Sequence, residues 1–266
     1  MFVKSKERID MKRLLVTVSG GETSGYMAVK LWKNYRHLYD MRFVFANTGQ
    51  EHEKTLQFVH KIQTAFGLPI IWVEAKVNHD ERKATGYKIT DFKRASRKGE
   101  PFEEVIKKYG LPNQNYLHCT RELKINPMKA LAADLGCEEQ ALGIRNDELH
   151  RYKPRVGFIY PLVELFQVDK PKIKAWWQKQ SFQLDLPEHL GNCTWCYKKS
   201  DKKIDILKNE HPEVFKFPLK MEKKYASERI IFRGHRTTQQ VLDGVKGDGS
   251  EDSCPEECGT VVPDAE

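Results

Sequence analysis

The sequence reads as an α/β protein, a parallel twisted sheet with helices on both faces. Three observations predict it. Short β-branched apolar runs alternate with longer stretches whose apolar residues recur at helical spacing. Glycines and hydroxyl residues crowd the joint between the first run and the first such stretch. The 266 residues suit one α/β domain of about 200–250 residues with extensions. The 13 Phe, 10 Tyr and 5 Trp, without an internal repeat, exclude a collagen, a coiled-coil array or a wholly disordered chain. No apolar run approaches the roughly 18 residues of a membrane span, so a soluble protein with no membrane partner is expected.

Each element follows from its own pattern. Residues 13–18, Arg-Leu-Leu-Val-Thr-Val, form a short apolar run that ends at Gly20-Gly21 and predicts a buried strand. Residues 22–35 carry Tyr26, Met27, Val29, Leu31 and Trp32 at helical spacing. A strand at 42–46, a helix at 51–66 and a strand at 69–73 continue the alternation. The pattern lapses into a polar, basic insertion at about 75–116, with a helix at 102–109, and resumes with a helix at 123–135 and strands at 140–144 and 156–160. Helices are expected at 172–179 and at 201–209, the latter stopped by Pro212. The organisation expected is one domain over residues 1–200, a helical extension over 201–246 and an acidic tail over 247–266 that reads as disordered.

Charge is unevenly spread. The net +8 divides into residues 1–246, which hold all 45 basic residues against 30 acidic ones, and a tail with seven acidic residues and no basic one. So basic a body suggests a polyanionic partner, nucleic acid or a nucleotide polyphosphate. Arg82, Lys83, Lys88, Lys93, Arg94, Arg97 and Lys98 stand against one acid, Asp91, with Tyr87 and Phe92 interleaved. That mixture suits a phosphate backbone with rings for base stacking. The run 198–224 is mixed in sign and reads as a solvated helical face.

Val18-Ser19-Gly20-Gly21-Glu22-Thr23-Ser24-Gly25 lies between a predicted strand and a predicted helix, where a phosphate cradle belongs. Glycines permit close backbone approach, Ser19, Thr23 and Ser24 supply hydroxyls, and the helix adds its N-terminal N–H groups. The pattern is neither a Walker A loop nor a GxGxxG fingerprint. It resembles the SGGxxS pyrophosphate loop (PP-loop) of the adenine nucleotide α-hydrolase-like superfamily, and within it the phosphoadenosine phosphosulfate (PAPS) reductase family often found in phages and defence-related operons. Further segments carry the resemblance in family order. Asn47-Thr48-Gly49-Gln50-Glu51 is similar to its NTG-x-E segment, Cys119-Thr120-Arg121-Glu122-Leu123-Lys124 with Pro127 to C-x-R-x-x-K-x-x-P, Gly143 to Glu148 with Arg151 to G-x-R-x-x-E, and Tyr160-Pro161-Leu162 to YPL.

The resemblance implies a Rossmann-like fold, an adenine nucleotide held by Ser19, Gly20, Gly21, Thr23, Ser24, Asn47, Thr48, Gly49, Gly143 and Arg145, and phosphate charge met by Arg121, Lys124 and Arg145. One departure stands out. Many ATP pyrophosphatases of the superfamily have Asp where Thr23 stands, and a hydroxyl cannot hold Mg²⁺ as a carboxylate would; Glu22, Glu51 or substrate oxygens are the alternatives.

Cys193-Thr194-Trp195-Cys196 is a C-x-x-C, and with Cys119 it offers three thiols. Iron–sulfur members of the family show a Cys-Cys pair before the C-x-x-C, where this chain has His118-Cys119. A [4Fe–4S] cluster on Cys119, Cys193 and Cys196 is the leading expectation. Zinc with a fourth ligand such as His118 or His189, a redox dithiol and inert buried thiols are the others. Cys137 reads as core. Glu257-Cys258-Gly259 partly echoes the end that carries the nucleophilic cysteine of sulfonucleotide reductases, and Cys254 with Cys258 offers a thiol pair.

Three functions follow as expectations. The first is ATP cleavage to AMP and pyrophosphate, activating a substrate carbonyl for sulfur transfer to a nucleic acid, with a sulfur or electron donor protein as partner. The second is reduction of APS or PAPS with Cys258 as the catalytic thiol. The third is a metal-stapled nucleic-acid-binding protein without turnover. The charged start, residues 1–13, lacks an apolar signal core, so a cytoplasmic setting is expected, the host cytoplasm for a phage-encoded member.

Overall fold

The computed structural model describes residues 11–113, 117–225, 232–233 and 236–246. Its strands are β1 (Arg13–Thr17), β2 (Asp40–Asn47), β3 (Ile70–Lys76), β4 (Gly86–Thr90), β5 (Glu139–Ala141) and β6 (Phe158–Ile159). Its helices are α1 (Glu22–Tyr35), α2 (Glu53–Phe66), α3 (Glu100–Tyr109), α4 (His118–Thr120), α5 (Asn126–Asp134), α6 (Pro161–Glu164), α7 (Lys170–Gln178), α8 (Asp201–Glu210), α9 (Lys216–Tyr225) and α10 (Thr238–Leu242). A π-helical turn, Arg121–Ile125, joins α4 to α5.

The strands form one sheet in the order β4-β3-β2-β1-β5-β6. Five of them run parallel, as the alternation of strands and helices requires. The sixth, β4, lies inside the basic insertion and pairs antiparallel with β3. No strand was expected there. The run Gly-Tyr-Lys-Ile-Thr is a half-exposed edge paired to β3, with Tyr87 packed against the Leu15 and Leu131 cluster and Ile89 left exposed.

Alternation along the strands builds two faces. Leu14, Val16, Phe43, Phe45 and Trp72 point to one side and pack with α1, α2 and α7. Leu15, Val44, Ala46 and Val73 point to the other and meet Leu131 of α5. Trp177 of α7 is fully buried and its indole N–H donates to the Glu22 carbonyl at 2.9 Å, fixing the start of α1. α2 begins two residues later than its periodicity suggests, because His52 caps it, Nδ1 accepting from the Lys54 N–H at 3.1 Å.

A second core lies beyond the sheet. Phe102, Val105 and Ile106 of α3 pack with Leu190, Trp195, Tyr197, Ile204, Leu207, Phe215 and Met221. The inserted segment and the C-terminal extension therefore share one apolar cluster. The run 198–224 is accordingly more than a solvated face, since α8 and α9 each bury a stripe through Ile204, Leu207 and Met221.

The order of the strands sets the site. From β1 the chain steps outward through β2 to β3, then returns to lay β5 on the other flank of β1. The direction reverses between β1 and β5, and the crevice at the C-terminal ends of such strands is where open α/β sheets hold ligands. Gly20, at the end of β1, takes φ +88°, and a Cβ there would lie 2.5 Å from Thr55 Cγ2 of α2. Gly20→Ala is therefore expected to lower stability by about 1–3 kcal/mol in urea unfolding. Unchanged stability would contradict the left-handed, tightly packed turn.

Candidate functional site

The loop after β1 is tied by its own serines. Ser24 Oγ accepts from the Ser19 N–H at 2.9 Å, donates to the Gly21 carbonyl at 3.1 Å and lies 2.9 Å from Ser19 Oγ. No side chain caps α1, whose first residue follows an extended Gly21. The first-turn N–H groups and the helix dipole therefore face the loop, an arrangement suited to an anion.

Across the switch point, Arg145 follows β5 and its Nη1 donates to Thr23 Oγ1 at 3.1 Å. Asp147 accepts from Arg145 Nε at 2.9 Å and Nη2 at 3.0 Å, and Glu148 lies 3.3 Å from Nη2. The guanidinium holds the Asp147 carboxyl below the usual carboxylate range. Thr23 accepts from Arg145 and so keeps its own proton to donate to a phosphate. Gly143 stands opposite, where a Cβ would be 3.8 Å from Thr23 Cγ2.

Neither carboxylate considered for Mg²⁺ is turned to this cradle. Both Glu51 oxygens accept from Thr48, from its N–H and its hydroxyl, each at 2.9 Å. Glu22 takes a hydrogen bond from the Leu184 backbone, and burial raises its carboxyl pKa. A magnesium ion here would be carried mainly by the nucleotide's own phosphate oxygens, with hydroxyls as the protein's contribution.

The Asn47-Thr48-Gly49-Gln50-Glu51 loop leaves β2, the neighbour of β1. Asn47 is fully buried and Nδ2 donates to Glu74 Oε1 at 2.7 Å and to the Ser96 carbonyl at 2.9 Å. Gly49 adopts φ +80°, and a Cβ there would meet Ser96 Oγ at 2.6 Å. On its far side the loop is zipped to the C-x-x-C segment. Glu51 and Cys193 form an antiparallel bridge, the Thr194 N–H donates to the Gln50 carbonyl at 3.1 Å, the Trp195 indole donates to Gln50 Oε1 at 2.7 Å, and Thr48 Oγ1 lies 3.6 Å from Cys193 Sγ.

Cys119, Cys193 and Cys196 line one small pocket, partly open to solvent, with Thr48, Lys124, Phe102, Leu123, Trp195 and Tyr197. None of the three is in a disulfide. Cys119 Sγ lies 3.8 Å from the Tyr197 hydroxyl. Three soft donors lining one pocket with aromatic and aliphatic walls are the donor chemistry that an iron–sulfur cluster takes. Two buried cations brace the loop from behind. Lys199 Nζ donates to the Gly191 carbonyl at 2.6 Å, and Arg233 Nη1 to the Tyr197 carbonyl at 2.8 Å.

The remaining candidates scatter. Lys124 lines the thiol pocket, whereas Arg121 is more than half exposed, pairs with Glu122 at 2.7 Å and lies over the Tyr109 ring. His118 Nε2 sits 2.9 Å from the Gly110 carbonyl and burial depresses its pKa. His189 stands with Glu210 and His211. Cys137 packs beside the Leu15 and Leu131 cluster, and burial raises its pKa. Cys254, Cys258 and the acidic tail lie outside the described residues. All seven basic residues between 82 and 98 are exposed, but the two rings are engaged: Phe92 stacks on His60 at 4.4 Å, and the Tyr87 hydroxyl donates to Asp134 at 2.7 Å.

Comparison with known proteins bears on this geometry. Residues 13–110 match the model of the phosphoadenosine phosphosulfate reductase domain. An uncharacterized nin region protein of Escherichia phage lambda, ORF290, is 36% identical over 198 residues, 72% of this chain and 68% of its own length. The chain belongs to the PAPS reductase family. Among solved structures, a PAPS reductase from Candida auris in complex with phosphate is 17% identical, with a TM-score of 0.45 over 66% of this chain and 77% of that one. The U34-tRNA thiolase NcsA of Methanococcus maripaludis, with its [4Fe-4S] cluster, is 16% identical, with a TM-score of 0.43 over 94% and 78%.

Within this PAPS reductase family protein, sequence reasoning passed over Gln50, Trp195, Glu74 and Arg233. The first two stood inside motifs chosen for other residues. A Trp between two cysteines carries a signal of its own, because a buried indole N–H needs an acceptor. Gln50→Ala leaves the Trp195 N–H buried without one and is expected to cost about 1–3 kcal/mol in urea unfolding. A faster reaction of Cys193 and Cys196 with a thiol reagent should accompany it. Equal stability and equal reactivity would show the zipper to be idle.

Proposed function

We propose that this chain binds ATP across the C-terminal edge of its sheet, cleaves it between the α- and β-phosphates, and uses the resulting adenylate to exchange a carbonyl oxygen of a nucleic acid for sulfur. The observation that carries the reading is that the Asn47–Glu51 loop, which leaves β2 beside β1 and its Ser-Gly-Gly cradle, is bonded to the C-x-x-C segment of the three-thiol pocket. Ser19, Gly20, Gly21, Thr23 and Ser24 hold the departing pyrophosphate. Arg145, already aimed at Thr23, offsets its charge.

The carbonyl oxygen of the acceptor attacks the α-phosphorus, forming a C–O–AMP bond as pyrophosphate leaves. A sulfur nucleophile then attacks that carbon, and AMP departs with the oxygen. Cys119, Cys193 and Cys196 would hold a [4Fe–4S] cluster, or zinc as the alternative, and a cluster there would supply sulfur or electrons when bound. Lys124 lines the same pocket. The exposed basic residues from Arg82 to Lys98 offer a face for its phosphate backbone.

The test is product analysis with anaerobically prepared protein, ATP and a pool of structured RNA. AMP and pyrophosphate should form in a 1:1 ratio and depend on the RNA. ADP and phosphate alone would overturn the reading. Arg145→Ala should lower kcat/KM about 100–1000-fold, the scale on which loss of one preorganised donor to a developing charge is felt.

The family match also favours sulfonucleotide reduction as a second reading. There Cys258 thiolate attacks the sulfur of APS or PAPS, the S–O bond to phosphate breaks, AMP or its 3′-phosphate leaves, and a thiol donor frees sulfite by forming a disulfide. Sulfite formation that survives Cys258→Ser would exclude it.

A further inference from the structure

We propose that His189, Glu210 and His211 form a second metal site, for Zn²⁺ or a similar divalent transition metal, separate from the thiol pocket. One donor atom from each lies within 4.8 Å of the other two. His189 belongs to the 3₁₀ turn Glu188–Leu190, Glu210 ends α8 and His211 caps it. The imidazoles lie close, with centroids 5.8 Å apart and planes tilted by 29°.

A second observation points to a ligand. Among the described residues His189 Nε2 is buried and finds no hydrogen-bond partner, an arrangement that a polar atom keeps only at a cost. A metal ion is the partner that satisfies such a nitrogen. Donors at about 2.1 Å around a tetrahedral ion stand about 3.4 Å apart, so a spread within 4.8 Å leaves each pair at most about 1.4 Å to close. Two imidazoles and one carboxylate suit zinc, nickel, copper or iron(II) far better than magnesium or calcium.

The surroundings agree. Lys203 and Lys170 both lean on Glu188, at 3.4 and 3.9 Å, and Lys54 on Asp185 at 3.0 Å, so these cations are committed to other carboxylates. Glu213 Oε1 lies 3.6 Å from His211 Nδ1, a carboxylate placed to orient that ring. His52 is near enough to feel His211, but its Nδ1 caps α2, so it stands outside the ligand set.

Such an ion would pin the C-terminal end of α8 to the segment that leads, through Gly191 and Asn192, into Cys193. It would brace the C-x-x-C loop from the extension without touching a thiol. The site stands whether or not the chain cleaves ATP.

The test uses the full chain, stripped of metal under reducing conditions, titrated with Zn²⁺ against a chromophoric chelator and separately with Co²⁺. All titrations and melts are run in a Cys193→Ser background, which disables the thiol pocket, and the expected result there is one Zn²⁺ whose affinity falls at least about 100-fold when His189→Ala or Glu210→Gln is added. The matching Co²⁺ spectrum should lack a thiolate charge-transfer band. Zn²⁺ at a hundredfold excess over Kd should raise Tm by about 5–10 °C in that background and leave both added variants unmoved. The metal-free melt of each variant checks its folding, and Glu210 is exposed, so E210Q tests the site even where H189A folds poorly. Zn²⁺ affinity unchanged in both variants, or Co²⁺ bound through thiolate alone, would overturn the proposal.

Discussion

The site depends on a short stretch of backbone pairing between two loops that are far apart in sequence. Gln50 accepts from Trp195 and Thr194, while Thr48 and Glu51 sit against Cys193. The indole bond is buried, so breaking it leaves a polar group unpaired in a medium that does not solvate it. Remove this seam and the thiols lose their fixed relation to the sheet, because the C-x-x-C segment is not part of it. Lys199 and Arg233 hold the loop to itself and to the extension, and Trp195 packs on Phe102 of α3, whereas the seam alone bonds it to the loop after β2.

The seam lies where the fold concentrates ligand-binding capacity. The strand order reverses between β1 and β5, which opens a crevice beside the Ser-Gly-Gly loop, and Arg145 bridges it to Thr23. β2, next to β1, delivers the Asn47–Glu51 loop to the same edge. The Ser-Gly-Gly loop and the thiol pocket thus lie toward one edge of the sheet because the strands that lead to them are adjacent. The second core, from Phe102 through Trp195 to Phe232, closes the outer wall of the thiol pocket.

Much of this was legible in the residues. The β-branched run at 14–16 and the spacing of Tyr26, Met27, Val29 and Leu31 announce β1 and α1, since each element buries a face that its own period exposes to view. Ser19 to Ser24 announced the cradle because glycine and hydroxyls at a strand–helix joint have few other uses. β4 was hidden, being a short edge strand with only Tyr87 and Ile89 alternating inside a basic run. α9 was hidden by lysines, which cover a stripe made of Pro218 and Met221. The sequence also could not show which of three basic residues face the cradle: Arg145 does, Lys124 turns to the thiols and Arg121 turns to Glu122. Such choices rest on tertiary contacts between segments over a hundred residues apart.

The central claim is that cradle and thiol pocket are one composite site. Alkylation of Cys193 in metal-free protein, followed by mass spectrometry with and without a non-hydrolysable ATP analogue, tests it most directly. A nucleotide that orders the Asn47–Glu51 loop should slow modification of Cys193 at least about fivefold while leaving Cys137, which packs in the Leu15 and Leu131 cluster away from the thiol pocket lining, unchanged. Equal rates at Cys193 under saturating nucleotide would contradict the coupling on which the account rests.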